Sequence, residues 1–213
     1  MDALNKTLSI LDQQKSFHKL PQHTMLKEDY WTLSAWRENE AGFLMKGDIL
    51  DNIEKLEKEL ANDLENNKNT TPRPKYFTVN RNILTLIGLT QSAKRDTAEV
   101  ATSNDWVSLG TSSTAETEND TGLAAEDSGG SYARRQLSVN GSRKVTNQTA
   151  KYGVLFSDTM VSSVPKTFKE AGLHWASTGS SNIHARVTYT DFNFSAGDLF
   201  VVQINELMQN GSV

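Results

Sequence analysis

The clearest β-strand pattern in the chain is His184-Ala185-Arg186-Val187-Thr188-Tyr189-Thr190, followed by the apolar segment 199–204. Ala185, Val187 and Tyr189 alternate with polar neighbours, and this period of two is typical of a half-buried β-strand. The aromatic residues at 192 and 194 shift the phase by one residue, which predicts a bulge or bend. After a turn signal at 195–198, the nearly continuous apolar segment predicts a strand that is buried either on both faces of the sheet or on one face and against a partner.

Short strands and turns recur through the rest of the second half of the chain. Segments 134–139 and 144–149 flank Asn140-Gly141, a dipeptide that favours a β-hairpin. Residues 83–89 are a candidate first strand. Residues 111–131 are poor in apolar side chains and predict a long exposed loop. Because no helical pattern interrupts these strands, we expect an antiparallel β-sandwich.

The composition changes near residue 70, from Leu, Lys, Glu and Asn to Thr, Ser, Val and Gly. Pro72 and Pro74 remove backbone donors and push the preceding residues towards extended conformations. The predicted fold class is therefore α+β. An N-terminal helical region over 1–68 is joined by an extended linker over 69–75 to an antiparallel β-sandwich over 76–213.

The clearest helical pattern covers residues 47–66. Ile49, Ile53, Leu56 and Leu60 form one apolar stripe at heptad spacing. The stripe fits a surface helix packed on its own domain. It equally fits a short bundle formed with other copies of the chain, which would need further contacts because the helix has fewer than three heptads.

Residues 24–38 contain two tryptophans, Trp31 and Trp36, within a short segment. They predict either a small core of the N-terminal region or an anchor that fills a groove on a partner. Residues 2–18 could form a further amphipathic helix. The residues predicted to make assembly contacts are Trp31, Trp36, Ile49, Ile53, Leu56 and Leu60.

The overall composition excludes several functional classes. The net charge is −4, whereas a protein that binds nucleic acid without sequence preference needs a basic surface. The chain has no cysteine, which excludes disulfides and thiolate sites. No apolar run is long enough to span a membrane and no signal peptide is recognisable, so we expect neither a membrane protein nor classical secretion.

The sequence contains no recognisable catalytic pattern. No Gly-x-Ser-x-Gly elbow or phosphate-binding glycine pattern is present, and the four histidines lack the spacing of metal ligands. Paired carboxylates such as Glu116/Glu118 and Glu126/Asp127 lie in polar loop sequence and are expected to be solvated. We therefore expect no enzyme activity, no cofactor and no metal.

A set of short motifs covers about residues 104–207. In chain order they are Leu109-Gly110-Thr111, Asp120-Thr121-Gly122-Leu123, Glu126, Arg134, Glu170-Ala171-Gly172-Leu173 and Ala185-Arg186-Val187. This order resembles a recurrent group of structural proteins from tailed bacteriophage and related virus particles. Here Ser112 stands where such proteins often have glycine, and the Asp-Thr-Leu motif carries one inserted residue. The resemblance implies a β-sandwich component of a virion, without specifying capsid, neck, tail or fibre.

Physical chemistry predicts structural roles for these motif residues. Gly110 and Gly172 are expected where the backbone bends or another chain approaches closely. Asp120 can bind local amides and hold a wide loop. Glu170 lies between apolar neighbours, and a buried carboxylate needs a partner, for which Arg186 and Arg134 are the candidates.

Two functions from different classes remain open. The first is a non-enzymatic structural protein located in the virion, which assembles with itself, preferably as a homotrimer, and with other virion proteins through its N-terminal helices. The second is a module that binds a host surface glycan or receptor, with loop 111–131 and aromatic residues such as Tyr132 or Trp175 as contacts. Neither function requires direct contact with nucleic acid or a membrane.

Overall fold

The computed structural model describes residues 30–99, 103–127, 134–137, 141–146, 149–158, 161 and 164–207. These residues form two five-stranded antiparallel sheets and three α-helices, so the predicted antiparallel sheets are confirmed. The strands are β1 Tyr30–Arg37, β2 Tyr76–Arg81, β3 Ile83–Leu84, β4 Trp106–Gly110, β5 Arg134–Gln136, β6 Gly141–Thr146, β7 Thr149–Ser157, β8 Lys166–His174, β9 Ile183–Phe194 and β10 Asp198–Leu207. The helices are α1 Glu38–Ala41, α2 Ile49–Glu65 and α3 Leu86–Asp96, with a 3-10 turn at Gly42–Met45.

The main hydrophobic core lies between the two sheets. Sheet A has the strand order β2-β1-β10-β7-β6, and sheet B has the order β3-β9-β8-β4-β5. Alternate residues of both sheets point into this core, which includes Phe156, Val187 and Phe200. The rings of Phe192 and Phe200 stack across the sheets, with centroids 4.9 Å apart and planes inclined by 8°. Because side chains alternate between the two faces of each strand, the inward-facing apolar residues of both sheets form one layer between them.

The segment 184–204 forms most of β9 and β10, with the predicted irregularity between its two phases. The register between β8 and β9 shifts between Phe168 and Glu170, and this irregularity lets both Tyr189 and Phe192 face the main core. On β10, Phe200 and Val202 enter the main core, whereas Leu199 and Val201 enter a second core on the opposite face of sheet A. The apolar strand is therefore buried on both faces.

The predicted helical region over 1–68 is wrong for residues 30–37, which form strand β1 in sheet A. β1 pairs with β10 on one side and with β2 on the other. Trp31 and Leu33 are fully buried in the main core, and Trp36 faces the second core. The predicted division into a helical region and a separate sandwich therefore fails, because β1 contributes to the sandwich. The helix predicted within residues 2–18 lies outside the described residues.

Helix α2 covers the outer face of sheet A. Asp48 caps its N-terminus, since its Oδ1 accepts a hydrogen bond from the Asp51 amide at 3.0 Å. Ile49, Ile53 and Leu56 are at most 4% exposed and pack with Trp36 in the second core. The prediction that these residues make assembly contacts is therefore corrected. The four side chains just named and Trp31 are buried within the chain, and Leu60 packs against the second core. The alternative of a surface helix on its own domain is the one observed.

The predicted linker contains no helix or strand, but it is fixed at both ends. The Asp63 carboxylate at the end of α2 accepts hydrogen bonds from the amides of Thr70 and Thr71, both at 2.7 Å. The Lys75 amide donates to the Ala35 carbonyl at 2.8 Å. Residues 69–75 therefore connect α2 to the edge of sheet A without separating two units.

Two local predictions from the second half are also wrong. Segments 134–139 and 144–149 do not form a hairpin, because β5 lies in sheet B and β6 pairs with β7 in sheet A. The segment 83–89 contributes only the two-residue strand β3 before α3 begins. The Thr85 hydroxyl accepts a hydrogen bond from the Gly88 amide at 3.0 Å, which is an N-cap contact. This cap overrides the strand propensity of Ile83, Leu84 and Thr85.

Gly88 allows α3 to dock closely on β9. A Cβ atom at this position would lie 2.3 Å from the His184 carbonyl oxygen, which belongs to the backbone and cannot move aside. We expect Gly88→Ala to lower the free energy of unfolding by about 1–3 kcal/mol through overpacking. Hydrogen exchange of the α3 amides should also become faster. Gly122→Ala is the matched control, because nothing lies within 4 Å of a Cβ atom there; equal effects of both substitutions would contradict the proposed contact.

Candidate functional site: the loop-anchoring network

The motif residues meet on the outer face of sheet B, where they fasten loop 111–127. Glu170 and Gly172 lie on β8, and in the ladder Gly172 stands opposite Arg186 on β9. The side chains of Ala171 and Leu173 point into the main core, so positions 170 and 172, which alternate with them, face outward. The alternation of two adjacent strands thus places Glu170 and Arg186 side by side. We call Gly110, Asp120, Glu170, Gly172 and Arg186 the loop-anchoring network.

Glu170 is fully buried and is bound by a guanidinium and by loop amides. Its Oε2 accepts hydrogen bonds from Arg186 Nε at 2.9 Å and from the Ala124 amide at 3.1 Å. Its Oε1 accepts one from the Ala125 amide at 2.8 Å. The predicted pairing of Glu170 with Arg186 is therefore confirmed, and the carboxylate also orders the backbone of the loop.

Arg186 connects Glu170 to the other side of the loop. Its Nη1 donates to Asp120 Oδ2 at 2.6 Å, and its Nη2 donates to the Thr114 carbonyl at 2.7 Å. Burial alone would lower the pKa of Arg186, but the hydrogen bond that it donates to Asp120 and the negative charge of Glu170 outweigh burial and raise that pKa. The guanidinium is therefore a permanent cation between two carboxylates.

Asp120 completes the loop. Its Oδ2 accepts a hydrogen bond from the Thr117 amide at 2.9 Å, and its Oδ1 accepts one from the Thr117 hydroxyl at 2.9 Å. Burial would raise the pKa of Asp120, but the Thr117 amide and the Arg186 guanidinium outweigh it and hold that pKa below its usual value. The predicted role of Asp120 in holding a wide loop is confirmed.

The two motif glycines leave room for this network. A Cβ atom on Gly110 would lie 2.5 Å from Glu170 Oε1 and 2.8 Å from the Ala125 carbonyl oxygen. A Cβ atom on Gly172 would lie 2.8 Å from His174 Nε2 and 3.0 Å from Leu123 Cδ2. At both positions the close approach comes from other residues of the same chain.

A second buried network, which the sequence did not predict as a unit, adjoins the first. Arg134 binds Glu126 through two hydrogen bonds, Nε to Oε1 at 2.7 Å and Nη2 to Oε2 at 2.8 Å. Its Nη1 also donates to Asn182 Oδ1 at 2.6 Å. Glu126 is therefore bound rather than solvated, and the same correction applies to Asp127, which accepts a hydrogen bond from Lys166 Nζ at 2.6 Å.

The same network holds His174 between Ser108 and Asn182. Asn182 Nδ2 donates to the Thr178 and Gly179 carbonyls, so its Oδ1 accepts from His174 Nδ1 at 3.0 Å. This assigns the proton to Nδ1 and leaves Nε2 to accept from the Ser108 hydroxyl at 2.7 Å. The order Ser–His–Asn resembles a nucleophile–base–orienter arrangement. Ser108 and His174 are fully buried, however, so no substrate can contact them in this conformation and we assign them a structural role.

His174 makes stability depend on pH. Burial, together with the positive charge of Arg134, lowers the pKa of His174 to about 3. Between the unfolded value of about 6.5 and this value, the unfolded chain binds more protons than the folded one. The contribution of His174 to stability is therefore complete above pH 6.5 and is lost as the pH falls, by about 1.4 kcal/mol per pH unit at most.

We expect the free energy of unfolding of the wild-type chain to fall by about 2 kcal/mol from pH 6.5 to pH 5 through this group. Urea unfolding at a series of pH values measures the slope. His174→Gln removes the titration, so its unfolding free energy should vary less over the same interval. Equal slopes for the two proteins would contradict the assignment.

The other predicted chemical groups are dispersed. His184 Nε2 lies 3.2 Å from Glu206 Oε1, away from the partners of His174. Within the described ranges, no three His, Asp or Glu side chains converge as a metal site. The helices of the described part of the chain are all too short or too polar to cross a membrane. His18, His23 and Tyr132 lie outside the described residues.

Comparisons of the chain with protein-family models, with curated proteins and with solved structures found no match.

Proposed function

We propose that the chain is a non-enzymatic structural component of a tailed-virus particle. The observation that carries this proposal is the convergence of the loop-anchoring network. The residues that produce the resemblance to virion proteins lie far apart in the chain, yet Asp120, Glu170 and Arg186 join in one buried ion-pair network. Their hydrogen-bonding atoms are directed to one another and to loop backbone, which supports a motif that maintains a fold.

The covered sheets also support a structural role. Helix α2 covers the outer face of sheet A, and α3 with loop 111–127 covers part of the outer face of sheet B. Such a layered unit can present a rigid surface to neighbouring subunits. The capsid, neck and tail of the particle are all compatible locations.

The amphipathic helix that the sequence predicts over residues 2–18, outside the described residues, is proposed to supply the assembly contacts through Leu4, Leu8 and Leu11. Trp31, Trp36 and the apolar face of α2 are buried within the chain and are not free for such contacts. A homotrimer remains the proposed state, and other virion proteins the proposed partners. Symmetry would multiply weak contacts into stable attachment.

The direct test is detection of the chain in purified virus particles. Antibodies raised against the full chain should label intact particles in electron microscopy, and mass spectrometry should find the chain after gradient purification. A chain that remains with the soluble host fraction and never with particles would contradict the proposed function.

The assembly proposal has a separate test. Light scattering should give the mass of a trimer for the full chain and of a monomer for a full-length Leu8→Asp/Leu11→Asp variant. Leu86→Asp is the matched control, because Leu86 is an exposed leucine on α3. A monomeric wild type would contradict the trimer, and dissociation by Leu86→Asp alone would place the contact on α3.

A receptor- or glycan-binding module is the second candidate. Loop 111–127 is held in one conformation by Glu170 and Arg186, so it could present contacts without a large ordering cost. Trp106 and Trp175 are half-buried, which leaves part of each side chain at the surface. These observations permit the module, but they are less specific than the motif network.

A further inference from the structure

Helix α3 carries an apolar stripe on its outer face. Leu86 and Leu89 are 46% and 47% exposed, and Ala93 is exposed as well. The spacing i, i+3 and i+7 places these three side chains on one side of the helix. Gly88, on the other side, packs against the His184 backbone and holds α3 on sheet B. We call Leu86, Leu89 and Ala93 the α3 stripe.

The α3 stripe differs from the apolar face of the longer helix. In α2, the corresponding residues Ile49, Ile53 and Leu56 are buried against sheet A. In α3, a glycine makes the close contact with the sheet and both leucines remain outside. Single exposed apolar residues are common, but two leucines one turn apart form a contiguous patch, which indicates a contact with another surface.

Opposite charges flank the two ends of the α3 stripe. The Leu86 amide donates a hydrogen bond to the Glu118 carbonyl at 2.7 Å, which places Glu118 beside the first residue of α3. Lys94 lies near the other end, about 12 Å further along the helix axis at 1.5 Å per residue. Both side chains are exposed, and neither forms an ion pair among the described residues. Glu99, beyond the end of α3, already accepts a hydrogen bond from the Thr97 hydroxyl at 3.2 Å.

We propose that the α3 stripe is a self-association surface, on which α3 of a second copy of the chain lies antiparallel. A twofold axis near Leu89 places Leu86 of one copy against Ala93 of the other. The same symmetry brings Lys94 of each copy to Glu118 of the other, so that one ion pair closes each end of the contact. A parallel arrangement would instead place like charges together at both ends.

The proposed contact is small, because each copy contributes one face of a short helix. We therefore expect it to form at millimolar rather than micromolar concentration. It leaves the mass in dilute solution unchanged and is separate from the trimer contacts assigned to residues 2–18. Within an assembly the high local concentration of neighbouring copies would favour it. The inference does not depend on the virion proposal, since α3 can pair whether or not the chain occurs in particles.

Sedimentation equilibrium of the full chain from micromolar to millimolar concentration tests the proposal. The mass at infinite dilution, whether of a trimer or of a monomer, is the reference, and the average mass should rise above it with concentration. Leu86→Asp/Leu89→Asp should abolish the rise. Phe43→Asp is the matched control, because Phe43 is also a partly exposed apolar residue but lies outside α3, and it should associate as the wild type does.

A charge exchange tests the antiparallel arrangement. Lys94→Glu should weaken the association by about tenfold, because it turns two attractive pairs into repulsive ones. Lys94→Glu/Glu118→Lys should restore the association, since the two charges then exchange places. Both positions are exposed, so neither substitution should disturb the fold.

Cross-linking gives a second readout that does not depend on charge. The chain has no cysteine, so Leu89→Cys introduces a single thiol near the proposed axis and should give a disulfide-linked dimer on mild oxidation. Val145→Cys is the matched control, because Val145 is 73% exposed on a strand of the other sheet.

Three results would overturn the proposal: a mass that does not change with concentration, no recovery in the double charge variant, or equal cross-linking of Leu89→Cys and Val145→Cys. A Leu8→Cys/Leu89→Cys variant that forms its disulfide within one chain, without an increase in mass, would also overturn it. That result would assign the α3 stripe to the N-terminal segment of the same chain.

Discussion

Replacement of Glu170 by alanine is expected to lower the free energy of unfolding by about 3–5 kcal/mol. The carboxylate is fully buried and binds Arg186 and the amides of Ala124 and Ala125. Its removal leaves the guanidinium with Asp120 as its remaining acidic partner and leaves two loop amides without an acceptor. Chemical denaturation monitored by circular dichroism measures the loss.

Glu118→Ala is the matched control for this prediction. Glu118 lies in the same loop, but its side chain is exposed, so its replacement should change stability by less than about 0.5 kcal/mol. Glu170→Gln adds a second comparison, because it keeps the size of the side chain and removes the charge. If Glu170→Ala were as stable as Glu118→Ala, the loop-anchoring network would not maintain the fold.

Trp31→Ala is expected to destabilise the whole sandwich by about 3–5 kcal/mol. Trp31 is fully buried in the main core, on a strand that pairs with both β2 and β10. The cavity left by an indole between two packed sheets cannot collapse without moving the strands. The cooperative unfolding transition should shift to a lower denaturant concentration. Tryptophan fluorescence and circular dichroism should both show this shift.

This result separates two roles for the N-terminal half. If Trp31 were an anchor for a partner, its replacement would change the oligomeric mass and leave the unfolding of the isolated chain unchanged. Phe43→Ala is the matched control, because Phe43 is a large apolar residue at 39% exposure in the same half of the chain. Phe43→Ala should lower the free energy of unfolding much less than Trp31→Ala does. An equal decrease for the two variants would contradict the placement of β1 in the core.

Most of the candidate site could be anticipated from local chemistry. Glu170 lies between apolar neighbours and therefore requires a partner of opposite charge when it is buried. Arg186 is a candidate because it lies in a predicted strand whose apolar and polar residues alternate. The second network could not be anticipated in this way, because Ser108, Asn182 and Arg134 come from three separate segments that are joined only by the sheet. Buried hydrogen bonds between distant side chains leave no periodic signal in a sequence.

The errors share one physical origin, which is that strand pairing is non-local. Asn140-Gly141 favours a tight turn between two paired strands, yet β5 and β6 lie in different sheets. Trp31, Leu33 and Ala35 alternate with Thr32 and Ser34, which is a strand signal. The cluster of two tryptophans predicts either a small N-terminal core or an anchor for a partner, and neither alternative places Trp31 in a strand of the sandwich.

From the sequence alone we could deduce the antiparallel sheets, a bulge or bend in β9, the apolar strand β10 and the need of a buried Glu170 for an arginine partner. Periodicity and the cost of burying a charge act locally and can be deduced from neighbouring residues. The folded structure was needed to show that β1 lies between β2 and β10, that α2 packs on sheet A, and that Arg186 rather than Arg134 pairs with Glu170. The apolar area that each element buries depends on which distant segment covers it, and only the folded chain determines that choice.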